Sequence, residues 1–285
     1  MGAPEVERFD TRDGVSIAYW VSGRGDAVIM CHGGPSTTHE YLVSDLGDLA
    51  GSATLVFHDY RGSGRSETAA PASYTFERLA DDVDELREHL GFESVTVLAH
   101  SMGGFVALQY ALRHPDRCRA LILMSCTPAG TIGRTGIPTL RALGLARFAR
   151  VLRRAGAYLA WWSWHPRSDA KTRARFSIMG TLQEGQPAFR AEVAAREILA
   201  NNDNAPTLER LGFKTDLCSE LSKIGCPALV IYGENDAPFA AAAGLFRAGL
   251  PQARIVQFAG VGHHPLVEEH DRTIRAISET LERIA

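Results

Sequence analysis

The chain has 285 residues, a length that fits one large domain or two small ones. Its 30 Lys and Arg residues against 33 Asp and Glu residues leave a net charge of −3, and 45% of the residues are hydrophobic. This composition excludes a disordered chain, a low-complexity chain and a strongly basic nucleic-acid-binding protein.

The predicted elements begin with a hairpin and then alternate between strands and helices. Asp13-Gly14 is a strong turn signal between two strand-like runs at 6–9 and 15–21. Further short apolar runs predict strands at 27–31, 53–58, 94–99, 120–124, 228–232 and 254–258. Helices are predicted at 76–90 and 105–113, between the last two strands, and at the C-terminus. Because strands that are apolar along their whole length are typical of parallel sheets buried on both faces, we expect an α/β fold with a mostly parallel central sheet flanked by helices.

Residues 129–224 interrupt this alternation and are helical in character. The sequence therefore predicts a core in two parts, 1–128 and 225–285, with a helical cap at 129–224 inserted between core strands. The stretch 131–175 holds ten basic residues and one acid, so it carries +9 while the rest of the chain sums to −12. We interpret it as a cap helix with its arginines in water; membrane contact or steering of an anionic substrate are the alternatives.

A group of three tryptophans lies in the same insertion, at Trp161, Trp162 and Trp164. Large aromatic side chains often line pockets for bulky acyl or ring groups. We expect this group to shape the substrate pocket, although packing within the core of the cap explains the pattern equally well.

Ser101 lies between a predicted strand, 94–99, and a predicted helix, 105–113. The residues two before and two after it, Ala99 and Gly103, are both small. A nucleophile elbow needs small residues at those places, because its strained turn brings neighbouring backbone close. The alternative is that Ser101 only caps the helix. The strand–turn–helix context favours a nucleophile.

A serine hydroxyl needs a base, and the base needs an acid that orients it. The order serine, acid, histidine is typical of this elbow, and the chain supplies Asp236 after one predicted strand and His263 after the last. Glu234 is the rival acid and His264 the rival base. We prefer His263, because the glycine before it frees the loop to approach Ser101.

An oxyanion hole should complete the site. One donor is expected to be the backbone N–H of Met102, directly after Ser101. The other should come from the Gly-rich loop at 32–35, where Gly34 lets a substrate oxygen approach its N–H.

The chain resembles the α/β-hydrolase superfamily and, within it, the proline iminopeptidase-like branch of serine peptidases. The resemblance covers both core segments and rests on His32-Gly33-Gly34-Pro35, Asp59-Tyr60-Arg61-Gly62-Ser63-Gly64-Arg65-Ser66, the Ser101 elbow, Asp236 and Gly262-His263. It implies the α/β-hydrolase fold and serine-dependent hydrolysis of a small molecule. We expect Asp59 and Arg61 to brace their loop by an ion pair with each other. Compared with the aminopeptidases, this chain has Ser36 where a Gly is usual and Ala237 where some members carry an acid.

The cysteines and the N-terminal residues bear on cofactors and location. Five cysteines are scattered without a CxxC pair, so we expect reduced thiols and no zinc site. The first ten residues have no apolar run, which predicts no signal peptide, and no stretch reaches 18 apolar residues. We expect a cytoplasmic protein without a metal or a cofactor, acting on a small-molecule substrate and not on nucleic acid; the sequence leaves its oligomeric state open.

Three functions are consistent with these residues. The first is a serine hydrolase that cleaves a small ester, amide or lactone. The second is a lyase, a cyclase or a C–C bond hydrolase that uses the same triad in a biosynthetic or catabolic pathway. The third is a ligand receptor with a slow triad.

Overall fold

The computed structural model of the chain describes residues 6–34, 37–130 and 203–284. These residues form an eight-stranded sheet in the order β1-β2-β4-β3-β5-β6-β7-β8. The strands are β1 (Glu7–Asp10), β2 (Ser16–Gly23), β3 (Asp26–Cys31), β4 (Ala53–His58), β5 (Val95–His100), β6 (Cys118–Met124), β7 (Ala228–Gly233) and β8 (Arg254–Phe258). Among these eight described strands, only the pairings of β1 with β2 and of β2 with β4 are antiparallel. The expected mostly parallel sheet is thus confirmed.

Helices cover both faces of the sheet. They are α1 (Glu40–Leu46), α2 (Phe76–His89), α3 (Gly103–Arg113), α4 (Ala205–Lys214), α5 (Ala237–Gly249), α6 (Pro265–Glu268) and α7 (His270–Ile284). Along β3, Ile29 packs into one apolar cluster with α2, α3 and α5, whereas Val28 and Met30 pack into a second cluster with α1, α6 and α7. The core strands are largely apolar because both faces of the sheet are covered. Among the described residues, every helix is too short or too polar to span a lipid bilayer.

Helix α2 illustrates how local sequence sets an element's ends. The Thr75 side chain accepts a hydrogen bond from the N–H of Arg78 at 3.1 Å and so caps the first turn. Gly91 follows the helix with φ +75°, the left-handed conformation that glycine adopts most readily. Helix α1 was not predicted, because its seven residues show no clear apolar repeat.

The two ends of the insertion run side by side. The N–H of Gly130 donates to Thr215 O, and the N–H of Leu217 donates to Pro128 O, each at 2.8 Å. Helix α4 is the helical part of the predicted cap that the structure describes. The basic stretch and the tryptophans Trp161, Trp162 and Trp164 lie outside the described residues. The boundaries 1–128, 129–224 and 225–285 therefore stay a prediction.

The predicted ion pair between Asp59 and Arg61 is wrong. The buried Arg61 guanidinium instead pairs with Asp13 at 2.8 Å and with Asp82 at 2.7 Å. Asp59 accepts a hydrogen bond from the backbone N–H of Arg65 at 2.9 Å. The Arg61 side chain reaches away from its own loop toward α2 and the β1–β2 turn, so it braces the loop against other elements.

Candidate active site

Ser101 lies between the end of β5 and the start of α3, as the elbow pattern predicts. Its φ is +56°, and it is one of two non-glycine residues with positive φ among those described. Its N–H donates to Met124 O at 3.0 Å, which ties the turn to the neighbouring strand β6. A non-glycine residue adopts this conformation only when its surroundings enforce it, so the turn is strained.

Close packing around the turn explains why glycines follow the serine. A Cβ on Gly103 would lie 2.1 Å from Cys31 O, at the end of β3. A Cβ on Gly104 would lie 2.6 Å from the Cβ of Cys126. Both contacts are too short for a side chain, so α3 can start this close to the sheet only because these positions are glycine.

The thiols next to the elbow are held in their protonated form. Burial raises the pKa of the Cys31 thiol to about 12 and raises the pKa of the Cys126 thiol well above its usual range. Since the thiolate is the nucleophilic form of cysteine, neither thiol competes with the Ser101 hydroxyl.

Asp236 and His263 meet beside this turn, since the carbonyl oxygen of His263 lies 2.9 Å from Nε2 of His100, the residue before Ser101. Oδ2 of Asp236 lies 2.8 Å from Nδ1 of His263, and both side chains are buried. Asp236 directly precedes α5, and His263 lies in the loop after β8. The ring of Phe239 packs against the His263 ring at 4.6 Å between centroids. These contacts fix the imidazole and leave Nε2 as the ring nitrogen that can serve a nucleophile.

The rival residues lie elsewhere. Glu234 is exposed and accepts a hydrogen bond from the N–H of Gly260 at 3.3 Å. His264 packs its ring against His100 at 4.7 Å between centroids. The structure thus brings Asp236 and His263 together, whereas Glu234 is exposed and the ring of His264 packs against His100.

The two predicted oxyanion donors lie at the same edge of the sheet. Gly34 follows β3 and has φ +139°, a conformation that side chains rarely adopt. Met102 directly precedes α3, so its N–H is at the positive end of the helix dipole. Among the described residues outside regular helices and strands, no backbone carbonyl accepts a hydrogen bond from either N–H. Pro35 and Ser36, the next residues of this loop, are outside those ranges.

Glu268, which no sequence pattern had pointed to, holds the loop that carries His263. Its carboxylate accepts hydrogen bonds from the N–H of Gly262 at 2.9 Å and from the N–H of His264 at 3.3 Å. The two residues that flank His263 are therefore fixed by one side chain. A carboxylate five positions after the histidine, on the first turn of the next helix, was the available signal.

Three histidines, His100, His263 and His264, have ring nitrogens within 4.8 Å of one another, close enough to consider a metal ion. Both ring nitrogens of His100 are already engaged, with Tyr41 Oη at 2.7 Å and with His263 O at 2.9 Å. Coordination by His100 would break one of these hydrogen bonds. The group therefore fits a hydrogen-bonded network better than a metal site.

Comparison with known proteins gives the context of this site. The sequence model of the alpha/beta hydrolase fold family matches residues 26–270. A proline iminopeptidase of Pestalotiopsis fici is 28% identical over 95% of this chain and 98% of its own length. A cis-3-alkyl-4-alkyloxetan-2-one decarboxylase of Xanthomonas campestris is 25% identical over 97% of this chain and 96% of its own length. The solved structure of an esterase from Exiguobacterium antarcticum superposes with a TM-score of 0.76 at 22% identity, over 98% of this chain and 100% of that one.

Proposed function

The chain belongs to the α/β-hydrolase fold family, with proline iminopeptidase-like relatives as its motifs predicted, and we propose that it is a serine hydrolase that uses Ser101, His263 and Asp236. The observation that carries this proposal is the buried 2.8 Å contact between Asp236 and His263 beside a serine in an elbow conformation. That pair supplies the oriented base which a serine hydroxyl needs.

In the proposed mechanism His263 acts through Nε2. It takes the proton of Ser101 as the Oγ atom attacks a carbonyl carbon. Asp236 keeps the Nδ1 proton in place and stabilises the imidazolium that forms. His263 then gives its proton to the leaving group, and an acyl-enzyme remains on Ser101. Water activated by the same histidine releases the acyl group.

The backbone N–H groups of Gly34 and Met102 hold the oxyanion of the tetrahedral intermediate in this proposal. Each such donor contributes on the order of 100- to 1000-fold in rate, because it is fixed before the charge develops. The α3 dipole adds a favourable potential at the Met102 N–H.

We propose a small ester, amide or lactone as the substrate. The similarity to an esterase and to a proline iminopeptidase supports this range of substrates. Ser36 and Ala237 differ from the residues that are usual in the aminopeptidases, and this difference favours esters and lactones over amides. The tryptophans Trp161, Trp162 and Trp164 remain the proposed pocket residues, and a cytoplasmic location remains part of the proposal.

A non-hydrolytic use of the same triad is the second candidate. It is favoured by the relative named as a decarboxylase of oxetan-2-ones, which are four-membered lactones. Turnover in ¹⁸O-labelled water separates the two functions, because only hydrolysis places the label in the product acid. A ligand receptor with a slow triad would instead bind a ligand with few turnovers.

A serine-directed probe tests the proposal. We expect a fluorophosphonate to label the protein, and Ser101→Ala to abolish both labelling and the hydrolysis of p-nitrophenyl butyrate. Ser125→Ala is a matched control, since Ser125 also directly follows a strand and has positive φ, at +47°, but is fully buried. Turnover that survives in the Ser101 variant would contradict the mechanism. A panel of esters, lactones and proline p-nitroanilide then defines the substrate class.

A further inference from the structure

A chain of hydrogen bonds joins three separate parts of the candidate active site. The backbone N–H of Gly33 donates to Tyr41 Oη at 2.8 Å. Tyr41 Oη lies 2.7 Å from Nδ1 of His100. Nε2 of His100 lies 2.9 Å from the backbone carbonyl of His263. The Gly-rich loop, the residue before the nucleophile and the loop of the proposed base are therefore linked through two side chains.

The chemistry of these groups fixes the direction of each hydrogen bond. A carbonyl oxygen only accepts, so Nε2 of His100 must carry a proton and donate to His263. Burial lowers the pKa of His100 to about 3, which keeps the ring neutral and leaves Nδ1 as an acceptor. The Tyr41 hydroxyl must then donate to Nδ1 while its oxygen accepts the proton of Gly33.

The peptide between Gly33 and Gly34, which carries the N–H of Gly34, is held through its carbonyl oxygen. The carbonyl oxygen of Gly33 lies 2.7 Å from Nδ1 of His32 and accepts a hydrogen bond from Thr37 Oγ1 at 2.5 Å. In a trans peptide the C=O and the next N–H point in opposite directions, so fixing the Gly33 carbonyl also fixes the N–H of Gly34. Tyr41 fixes the preceding peptide, and both peptides around Gly33 are thereby oriented.

Packing at Gly33 shows how closely these parts fit together. A Cβ at this position would lie 2.9 Å from Tyr41 Oη, 3.1 Å from Nδ1 of His100 and 3.2 Å from the Cβ of Ser101. The Gly-rich loop therefore rests directly on the elbow. A shift of Tyr41 would change the distance between the proposed oxyanion donor and the nucleophile.

We propose that Tyr41 and His100 are positioning residues, which hold the Gly34 N–H, the Ser101 elbow and the His263 loop in register for the transition state. This inference rests on the proposed function, because it assigns a task to residues around the same triad. Neither side chain is proposed to exchange a proton with substrate. They act by orienting groups that do the chemistry, and such orientation affects kcat more than KM.

Tyr41→Phe tests the link, because it removes the hydroxyl and keeps the ring. We expect kcat for p-nitrophenyl butyrate to fall by about 10- to 100-fold, with KM within about twofold of wild type. The fall is smaller than the roughly 100- to 1000-fold effect of losing an oxyanion donor, because the Gly34 N–H is displaced and not removed. Values of kcat are normalised to the extent of fluorophosphonate labelling, so loss of folded protein does not imitate the effect. Tyr19→Phe is the matched control, since Tyr19 Oη lies 3.2 Å from Nε2 of His89, on the antiparallel side of the sheet; it should keep the wild-type kcat.

His100→Gln provides a second, independent measurement. With its NH2 group in the place of the imidazole Nε2, the amide can still donate to the His263 carbonyl, but no acceptor then lies at the position of Nδ1, which Tyr41 contacts. We expect a similar fall in kcat, and the double variant should lose at most about twofold more than the worse single variant, because both changes break the same link. Wild-type kcat per labelled site in either variant, or fully multiplicative losses, would overturn the inference. A wild-type protein that is not labelled at Ser101 would instead overturn the proposed function, and if Tyr41→Phe does not fold, His100→Gln alone decides.

Discussion

Nδ1 of His263 lies 2.8 Å from Oδ2 of Asp236, and this contact is buried on both sides. The two residues come from neighbouring loops, one after β7 and the other after β8. Because each nitrogen of an imidazole can hold the proton, the carboxylate decides which one does. Asp236 keeps it on Nδ1, so Nε2 becomes the basic nitrogen.

Asp236→Asn should therefore lower kcat by about 10³- to 10⁴-fold. The amide has nearly the same shape, but it can present an N–H to Nδ1 and so favour the wrong tautomer. The measurement is kcat on p-nitrophenyl butyrate together with the melting temperature. Glu234→Gln is the matched control, because Glu234 is the exposed rival acid on the same loop. Equal losses in the two variants would contradict the assignment of Asp236.

Gly103→Ala should disrupt the elbow. Its methyl group would lie 2.1 Å from Cys31 O, and neither backbone can move without shifting β3 or α3. We expect a loss of more than about 3 kcal/mol in the free energy of unfolding, or an insoluble protein. Gly244→Ala is the control, since it lies within α5 with nothing within 4 Å of the added Cβ. It should stabilise the protein by about 0.5–1 kcal/mol. Urea unfolding of both variants tests this, and a Gly103 variant as stable as wild type would refute it.

Much of the fold could be read from local sequence patterns. The runs at 53–58 and 254–258 became β4 and β8 with the predicted bounds. The signal for β4 is its nearly continuous burial, whereas β8 is a half-buried edge strand that still shows in the sequence through Ile255, Val256 and Phe258. Ser101, Asp236 and His263 could be picked out because each follows a strand and the chain order fits a known elbow. Such features depend on residues close together in sequence.

Contacts between distant segments could not be predicted in the same way. The hydroxyl of Tyr41 lies on a short helix without an apolar repeat, and its partners Gly33 and His100 give no local sign of it. The ion-pair partners of Arg61 could not be predicted for the same reason. Asp59 is the carboxylate nearest in sequence, whereas the guanidinium binds Asp13 and Asp82, which are 48 and 21 positions away.

Arg61→Met should destabilise the protein, because it removes the cationic partner of the Asp13 and Asp82 carboxylates. Asp82 is buried, and removal of the guanidinium leaves it with Arg78 as its ion-pair partner, at 2.7 Å. Removing one partner of a buried ion pair costs about 3–5 kcal/mol when the other charge is left alone, so with Arg78 still in place we expect a loss at the lower end of that range. The double variant Arg61→Met/Asp82→Leu should recover part of that loss, because no buried carboxylate remains at position 82. Urea unfolding of the two variants checks the prediction, and a double variant less stable than the single one by the full cost of a second deletion would contradict it.

His58→Leu should weaken the dependence of the free energy of unfolding on pH below about pH 6.5. His58 is fully buried, neither ring nitrogen has a hydrogen-bond partner among the described residues, and burial lowers its pKa to about 3. In the unfolded chain the pKa of His58 lies near 6.5, so between about pH 6.5 and pH 3 the unfolded state binds one proton more than the folded state. Falling pH therefore favours unfolding, by up to about 1.4 kcal/mol per pH unit for this one group. Urea unfolding at several pH values from 4.5 to 7.5 should show that the unfolding free energy of the variant depends less steeply on pH. The variant should also be no less stable than wild type at pH 7.5, since two unpaired polar atoms are removed.

His270→Gln is the control of opposite sign, because the hydrogen bond to Asp48 raises the pKa of His270. The stability that this histidine contributes is therefore present below pH 6.5 and is lost as pH rises through the folded pKa. An unchanged slope in His58→Leu would show that this histidine does not drive acid unfolding.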